Sequence, residues 1–200
     1  CRDERYPGAS GWESLEHIGP ITRHAADAAL MLSVLAGPTP RDRHSLPSES
    51  SDWRVAAPET LRGCRIAFSA DMGHAVVDAE VRAAVEAAAV RLGEALGADV
   101  QRTHPDIGPT QPMFETLVAM ETDRAALAAM AERQNVALTG WLGHLIAHPW
   151  TADQFTAALM ARKRIVNNCW RFMQQHQFLI TPTTAAPAFA IERDGPPHID

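Results

Sequence analysis

The most promising chemistry in this sequence lies at the end of an apolar run, Phe178–Ile180, which stops at Thr181-Pro182-Thr183-Thr184. Hydroxyl groups and backbone amides at the carboxyl end of a strand can bind a polar group of a substrate, and open α/β sheets hold ligands at such ends. The plain alternative is a strand-to-loop turn in which Pro182 fixes φ and Thr183 makes a local turn bond. The residues alone leave these two interpretations equally open.

A second pattern is the pair His144 and His148, which are four residues apart. That spacing can place two metal ligands on one face of a helix. No Glu stands between them as in the helix of a zinc protease, and Pro149 follows directly. We therefore interpret both as packing or surface histidines, and we predict neither a metal site nor a cofactor.

The serines offer no activated nucleophile. Ser48, Ser50 and Ser51 lie in the run S-E-S-S, and Ser10 lies in G-A-S-G, one position short of the G-x-S-x-G pattern. A serine nucleophile needs a neighbouring base or a strained elbow. We interpret these serines as loop residues and assign no catalytic residue in this chain.

Composition limits the class of protein. The chain has 200 residues, of which 46% are hydrophobic, and carries a net charge of −6. This hydrophobic share is enough to form a sizeable core. The net negative charge, without clusters of Lys and Arg, argues against nucleic acid and anionic membranes as partners. No apolar run reaches the roughly 18 residues of a membrane span. Because three scattered cysteines suit a reducing compartment, we expect a cytoplasmic protein.

A strand–helix–strand pattern predicts the fold. Arg65–Phe68 reads as a strand, Asp78 as a helix cap, Gly97 as the helix end, and 98–102 as a second strand. The helix between them has an apolar stripe at Val81, Val85, Ala88, Leu92 and Leu96. Such a unit favours a right-handed parallel crossover. We predict an α/β fold with a mixed, largely parallel sheet flanked by helices.

Further helices are predicted on either side of this unit. One begins after Thr22 as its cap, and two more lie near 112–134 and 152–175, the last opening with a capping box. The segment Gly140–His144 reads as a glycine-flanked aromatic turn. The stripe of the last helix is expected at Phe155, Leu159, Val166, Cys169 and Met173.

Three blocks in order resemble the amidase signature family of amide hydrolases. They are SLEHIGPITRHAADAALMLSVLAGPTPRD at 14–42, LRGCRIAFSADMGHAVVDAEVRAAVEAAAVRLGEALGADV at 61–100, and QFLITPTTAAPAF at 177–189. One block alone would be weak evidence, but three blocks in the same order and spacing are strong. The chain resembles the central-to-C-terminal part of such an enzyme.

The resemblance implies hydrolysis of a carboxamide to a carboxylate and ammonia or an amine. The family uses a Ser–cisSer–Lys triad, and the segments that carry the triad have no counterpart in this sequence. Lys163 is the only lysine, has no matching triad position, and reads as a solvated helix charge. We therefore predict an amidase segment that is inactive alone, with a small-molecule amide as the substrate of the full-length enzyme.

The resemblance also supplies candidate site residues. Thr181–Thr184 match the family's T-P-T loop and are expected near the substrate pocket, together with Glu16, which stands where the family commonly has Asp. Gln177 likewise replaces a common Asp and removes a charge. These departures do not decide the substrate.

A turn early in the chain matches the family's G-P-x-x-R pattern. Gly19 and Pro20 are expected to shape the entry to the first helix, and Arg23 is expected to pair with Asp27 one helical turn on. Both roles are structural rather than catalytic.

The chain begins with Cys1 and ends in the polar run GPPHID, so we expect a single lobe over 1–200 that is a fragment of a larger domain. Missing sheet neighbours would leave strand edges open, which favours a homodimer. Two other functions stay open: a free-standing, non-catalytic α/β module that binds a ligand or partner, and a segment of the family's glutamyl-tRNA amidotransferase A subunits, which would need a partner subunit.

Overall fold

A computed structural model describes residues 19–40 and 58–193, together with the single residues Leu15, Pro47, Trp53, Gly195, Pro196 and Ile199. The described helices are α1 (Ala25–Leu35), a 3-10 helix (Pro58–Leu61), α2 (Ala79–Leu96), α3 (Gln111–Met120), α4 (Arg124–Gln134), α5 (Gly140–Ala147) and α6 (Ala152–Met173). The described strands are β1 (Arg65–Phe68), β2 (Asp99–Arg102) and β3 (Phe178–Ile180).

The three strands form one parallel sheet in the order β2-β1-β3. Ile66 pairs with Val100 on one side and with Phe178 on the other. Residues 66–68 of the central strand are buried, and Ala67 is wholly inaccessible. A central strand covered on both faces is typical of parallel sheets. The predicted α/β class and the βαβ unit are confirmed.

Helix α2 makes the crossover between β1 and β2, and both of its predicted ends are confirmed. The carboxylate of Asp78 accepts a hydrogen bond from the backbone N–H of Glu80 at 2.9 Å, which satisfies one donor of the first turn. Gly97 ends the helix in the left-handed region with φ +56°, where a glycine has no Cβ to clash.

The buried face of α2 matches the predicted stripe only in part, since Val81, Val85 and Leu96 are half-buried. Ala88 and Leu92 are exposed, whereas Ala89 and Gly93 are buried. The reason is close packing against β2, because a Cβ at Gly93 would lie 2.5 Å from Cγ2 of Val100. Small residues, rather than the largest apolar ones, therefore face the sheet here.

The helix predicted over 112–134 is two helices. Helix α3 ends at Met120, and α4 begins after Asp123, whose carboxylate accepts from the N–H of Ala126 at 3.0 Å. Asp123 is a good N-cap that the continuous apolar pattern concealed. Just before it, the hydroxyl of Thr122 donates to the carbonyl of Val118.

Two local predictions are wrong. The segment Gly140–His144 is not a turn but the start of α5, which Thr139 caps by accepting from the N–H of Leu142. Thr22 is not the cap of α1; His24 holds that position without a side-chain cap bond, and the hydroxyl of Thr22 donates to its carbonyl.

Helix α6 begins with the predicted capping box. The side chain of Gln154 accepts from the N–H of Thr151 at 2.8 Å, and the hydroxyl of Thr151 accepts from the N–H of Gln154 at 3.3 Å. The predicted inward stripe of this helix is only partly correct, since Leu159, Val166 and Met173 are exposed. The positions that are at least half-buried are Phe155, Ala158, Ala161, Arg162, Ile165, Asn168, Cys169 and Phe172.

The described residues fall into two compact units. The first contains Phe114–Thr156 with the described residues before position 57, and the second contains the described residues of 57–113 and 157–200. In the second unit, the buried apolar side chains include residues 66–68 of β1. The core of the first unit is formed by Val118, Ala119 and Leu145, with Leu15, Leu142, Trp150 and Phe155 packed against it. The single lobe over 1–200 stays a prediction.

In the part of the chain that the structure describes, no helix combines the length and the apolarity needed to cross a bilayer.

The tight approach of α2 to β2 gives a prediction. Gly93→Ala should lower the free energy of unfolding by about 1–3 kcal/mol, because the new methyl group meets Val100. The matched control is Gly143→Ala in α5, where a Cβ meets nothing within 4 Å and helix propensity should add up to about 1 kcal/mol. Urea unfolding followed by circular dichroism measures both. Adding Val100→Ala to Gly93→Ala should recover part of the lost stability. Equal effects of Gly93→Ala and Gly143→Ala would contradict the packing of α2 on β2.

Candidate functional site

The candidate site lies at the carboxyl edge of the sheet, within the second unit. Because all three strands are parallel, the loops that follow them leave from the same edge. These loops are 69–77 after β1, 103–110 after β2 and 181–186 after β3. The polar loop singled out in the sequence is thus one of three that meet there.

Two backbone hydrogen bonds join the β3 loop to the β1 loop. The N–H of Ser69 donates to the carbonyl of Ile180 at 3.0 Å, and the N–H of Asp78 donates to the carbonyl of Ala185 at 2.8 Å. The loop Thr181–Thr184 is therefore held at both ends, by the first residue after β1 and by the N-cap of α2.

The threonines of this loop present polar groups to solvent. Thr181, Thr183 and Thr184 are exposed, and Pro182 is half-buried. The hydroxyl of Thr184 donates to the carbonyl of Ala186 at 3.1 Å, which is a local turn bond. Among the described residues, the hydroxyls of Thr181 and Thr183 have no such partner. The local turn bond predicted for Thr183 is thus made by Thr184 instead, and the predicted binding role of the loop stays a prediction.

The loop after β1 is held by its own side chains. The hydroxyl of Ser69 accepts from the N–H of Met72 at 2.9 Å, and the carboxylate of Asp71 accepts from the N–H of Gly73 at 2.8 Å. These bonds fix two successive residues in the left-handed region, Met72 with φ +52° and Gly73 with φ +76°. Left-handed Met72 is strained, so the side-chain acceptors offset a real cost.

Asp71 is the best-defined charge at this edge. The N–H of Gly73 is the main cause that lowers the pKa of Asp71; partial burial opposes it, and the charges of Arg82 and His104 add to the lowering. The guanidinium of Arg82 lies 3.3 Å from the carboxylate of Asp71, and both side chains are partly exposed. Asp71 is therefore an anion at neutral pH that also fixes the loop.

The loop after β2 contacts the loop after β1 through His104. A Cβ at Gly73 would lie 2.4 Å from Cε1 of His104, so the imidazole ring rests directly on the glycine backbone. A nitrogen of the same ring, Nδ1, lies 3.1 Å from the carbonyl oxygen of Pro105. Only a glycine permits this approach.

Sequence reasoning missed Asp71, Arg82 and His104 because they lie on three different elements. A usable signal existed in Ser69-x-Asp71-x-Gly73, since two short acceptors and a glycine directly after a strand are typical of a tightly bonded turn.

The other predicted site residues lie elsewhere in the chain. Glu16 falls outside the described residues. Gly19 and Pro20 lie before α1 in the first unit, and their predicted role in shaping the entry to that helix stays a prediction. Arg23 and Asp27 are exposed, and the described ion pairs do not include one between them.

The histidine pair has a packing role. The rings of His144 and His148 lie 5.5 Å apart between centroids, and His148 packs edge-on against Trp150 at 4.3 Å. Within the described ranges, no three His, Cys, Asp or Glu side chains are grouped as metal ligands. Lys163 is exposed on α6.

Comparison with known proteins decides the family. The model of the amidase family matches residues 4–198. This chain belongs to the amidase signature family. The predicted family is confirmed.

The similar proteins include an amidotransferase A subunit and an amidase, the two kinds of family member considered from the sequence. The glutamyl-tRNA(Gln) amidotransferase A subunit of Synechococcus sp. (strain CC9902) is 40% identical over 205 residues, covering 88% of this chain and 41% of that protein. "Acylamidase" of Rhodococcus erythropolis is 29% identical over 189 residues, covering 91% of this chain and 39% of that protein. The amidase segment thus spans about two-fifths of the length of these relatives.

Solved structures agree on the fold. A bacterial aryl acylamidase of the amidase signature enzymes superposes with a TM-score of 0.72 at 23% identity, covering 91% of this chain and 40% of that one. Peptide amidase from Stenotrophomonas maltophilia superposes with a TM-score of 0.62 at 22% identity, covering 83% and 40%. At these identities the likeness supports the fold alone.

The charge pair at the carboxyl edge gives a pH prediction. The folded-state pKa of Asp71 is depressed, so its contribution to stability is present above the unfolded-state pKa of about 3.9 and is lost as the pH falls through the folded-state value. Arg82→Gln should raise the pKa of Asp71 but leave it below its usual value, because the Gly73 N–H remains. Carboxyl ¹³C NMR during acid titration measures this. Arg164→Gln is the control that should have no effect, and an unchanged Asp71 in Arg82→Gln would contradict the pairing.

The contact between Gly73 and His104 gives a second prediction. Gly73→Ala and Gly108→Ala both place a side chain at positive φ, but only the first meets a neighbour; the space around Gly108 is open. The cost at Gly108 should be about 1 kcal/mol, and the cost at Gly73 should exceed it. Denaturant unfolding gives both values. His104→Ala in the Gly73→Ala background should remove the excess; an excess that persists would mean that the ring is not the obstacle.

Proposed function

We propose that this chain is the part of an amide hydrolase that supplies one wall of the substrate pocket, through the loop Thr181–Thr184. The parent reaction converts a carboxamide to a carboxylate and ammonia or an amine. The observation that carries the proposal is the position of this loop, which two backbone bonds hold at the carboxyl edge of a parallel sheet in a chain of the amidase family.

The groups at the loop suit an amide ligand. The hydroxyls of Thr181 and Thr183 can each donate to a substrate carbonyl oxygen and accept from an amide N–H, and Pro182 restricts the backbone between them. Both groups of an amide would thus find partners at one loop. Glu16 is a further pocket candidate on the family resemblance alone.

The substrate class rests on the names of the relatives. Those names include "Acylamidase" of Rhodococcus erythropolis and "Amidase" of Pseudomonas putida, which is 29% identical over 187 residues. They support a small-molecule amide as the substrate. The acidic balance and the scattered cysteines support a cytoplasmic enzyme without a nucleic-acid or membrane partner.

We further propose that the 200 residues do not turn over amides alone. The family mechanism needs a serine nucleophile and a lysine, and this chain offers no residue matched to either position. Lys163, the only lysine, is exposed on α6 and is a solvated charge there.

A second candidate is a segment of a glutamyl-tRNA amidotransferase A subunit. The observation that favours it is the 40% identity to the Synechococcus amidotransferase protein, which exceeds that to the acylamidase. That function would require a partner subunit and ammonia transfer to it. A third candidate, a non-catalytic binding module, would use the same loop for a ligand that is not hydrolysed.

The test combines binding and turnover on the purified chain. An acetanilide titration followed by ¹H–¹⁵N NMR should shift the backbone signals of Thr181, Thr183 and Thr184, while no aniline appears above the blank. Thr183→Val should weaken the titration several-fold because it removes one hydroxyl. Thr156→Val is the matched control, since this exposed threonine lies on α6 and its hydroxyl donates to the carbonyl of Ala152.

Two results would count against the proposal. Shifts that avoid the loop, or equal effects of the two valine variants, would remove the loop from the pocket. Turnover that disappears in Lys163→Met would show that the chain carries its own catalytic lysine.

A further inference from the structure

A buried histidine lies between the end of α6 and the start of β3, in the second unit. His176 comes shortly after α6 and two residues before β3, and it is only 5% exposed. Its ring stacks on that of Phe172, with 4.4 Å between the centroids. The proposed reaction does not use this residue, so the reason for its burial lies in the contacts of its ring.

Both nitrogens of the His176 ring face oxygen atoms. Nε2 lies 3.2 Å from the side-chain oxygen of Gln101 on β2, and Nδ1 lies 3.3 Å from the carbonyl oxygen of Phe172 on α6. A backbone carbonyl can only accept a hydrogen bond, whereas a glutamine amide can offer either its oxygen or its nitrogen. The protonation of the ring therefore depends on which way the amide of Gln101 is turned.

Asp99 fixes the orientation of Gln101. The amide nitrogen of Gln101 donates to the carboxylate of Asp99 at 2.6 Å. A reversed amide would set its oxygen against that carboxylate, so the oxygen of Gln101 stays directed at His176. The ring thus faces two acceptors, and only the protonated imidazole has an N–H for each. In either neutral tautomer, one nitrogen lone pair faces an oxygen.

Two charged side chains lie on the sheet face that Gln101 shares. They are Asp99 and Arg65, because side chains alternate along a strand and these two residues pair in register. The guanidinium of Arg65 donates to the carbonyl of Gln175, and residues 178–180 of β3 carry no charge. The sheet therefore offers the ring one carboxylate, reached through Gln101, and one cation that is already bonded.

The end of α6 favours the charged ring. The carbonyl of Phe172 belongs to the last turn of the helix, where the helix dipole is negative. Of the titratable groups nearby on α6, exposed Arg171 donates to the side chain of Asn168, and burial raises the pKa of the Cys169 thiol, which leaves it neutral. Burial of the imidazolium costs free energy, and the helix end and the Asp99 carboxylate offset that cost.

We propose that His176 is a pH-sensitive pin between the end of α6 and β2, which is tight when the ring is protonated and loosens when the ring is neutral. β3 begins two residues later and leads into the loop Thr181–Thr184, so the pin controls how firmly the start of this strand is held. The inference uses no residue of the carboxyl edge and does not rest on the amide-hydrolase proposal.

The test compares the pH dependence of stability in the unchanged chain and three variants. His176→Gln keeps a polar side chain that does not titrate, and Asp99→Asn allows the amide of Gln101 to reverse and donate to a neutral ring. His24→Gln is the control, since His24 is exposed and makes no side-chain cap bond. Urea unfolding between about pH 5.5 and about pH 8 spans the ordinary titration range of histidine.

Stability from the pin should be present at the acid end of this range and lost as the pH rises, because the neutral ring keeps only one of its two bonds. Relative to His176→Gln, the folding equilibrium constant of the unchanged chain should fall about three-fold or more over the range. Asp99→Asn should remove most of this fall, and His24→Gln should retain it.

A measurement on the unchanged chain covers the case in which His176→Gln does not fold. The carbonyl ¹³C signal of Phe172 and the side-chain amide signals of Gln101 should move together with the ring ¹⁵N signals of His176 during a pH titration.

Three results would overturn the proposal. They are the same pH dependence in the unchanged chain and in His176→Gln, an undiminished fall in Asp99→Asn, and a carbonyl signal of Phe172 that stays constant while the ring of His176 titrates.

Discussion

The burial of β1 between two parallel strands is the constraint on which the rest of the second unit depends. A parallel strand in the middle of a sheet must satisfy its backbone groups on both sides, and β1 does so with β2 and β3. The register that results fixes where each strand ends. It also requires a crossover helix between β1 and β2, which α2 provides.

The candidate site follows from this register. Because β1 and β3 end side by side, Ser69 can bond to Ile180, and the N-cap of α2 can bond to Ala185. The threonine loop then needs no contacts of its own to be held in place. Asp71 and its partners stiffen the neighbouring loop, so the edge offers exposed hydroxyls on a fixed backbone. Fixed polar groups lose little freedom when they bind a ligand.

The sequence predicted those parts of the fold that have local causes. The strand Arg65–Phe68, the cap at Asp78 and the stop at Gly97 each depend on residues near them in the chain, and all are confirmed. The missed features depend on partners that are distant in sequence. Gly93 is buried because Val100 packs on it, and the triplet of Asp71, Arg82 and His104 assembles only when strands and helix come together.

The threonine loop was found from sequence, but its surroundings were not. Its composition and the family resemblance both indicated a strand end, whereas neither indicated which neighbouring loop would hold it. The predicted core stripe of α6 mixed half-buried Phe155 and Cys169 with exposed positions, because periodicity alone cannot tell two neighbouring apolar sides of a helix apart. Exposure, which the structure supplies, separates the side of the helix that packs from the side that does not.

The most direct test of this account is detection of the two backbone bonds that join the loops, through hydrogen-bond scalar couplings in NMR. The account predicts couplings from the amide nitrogen of Ser69 to the carbonyl carbon of Ile180, and from that of Asp78 to that of Ala185. If either amide instead couples to a different carbonyl, or exchanges with solvent as fast as an exposed loop amide, the threonine loop is not held at this edge and the site described here does not form.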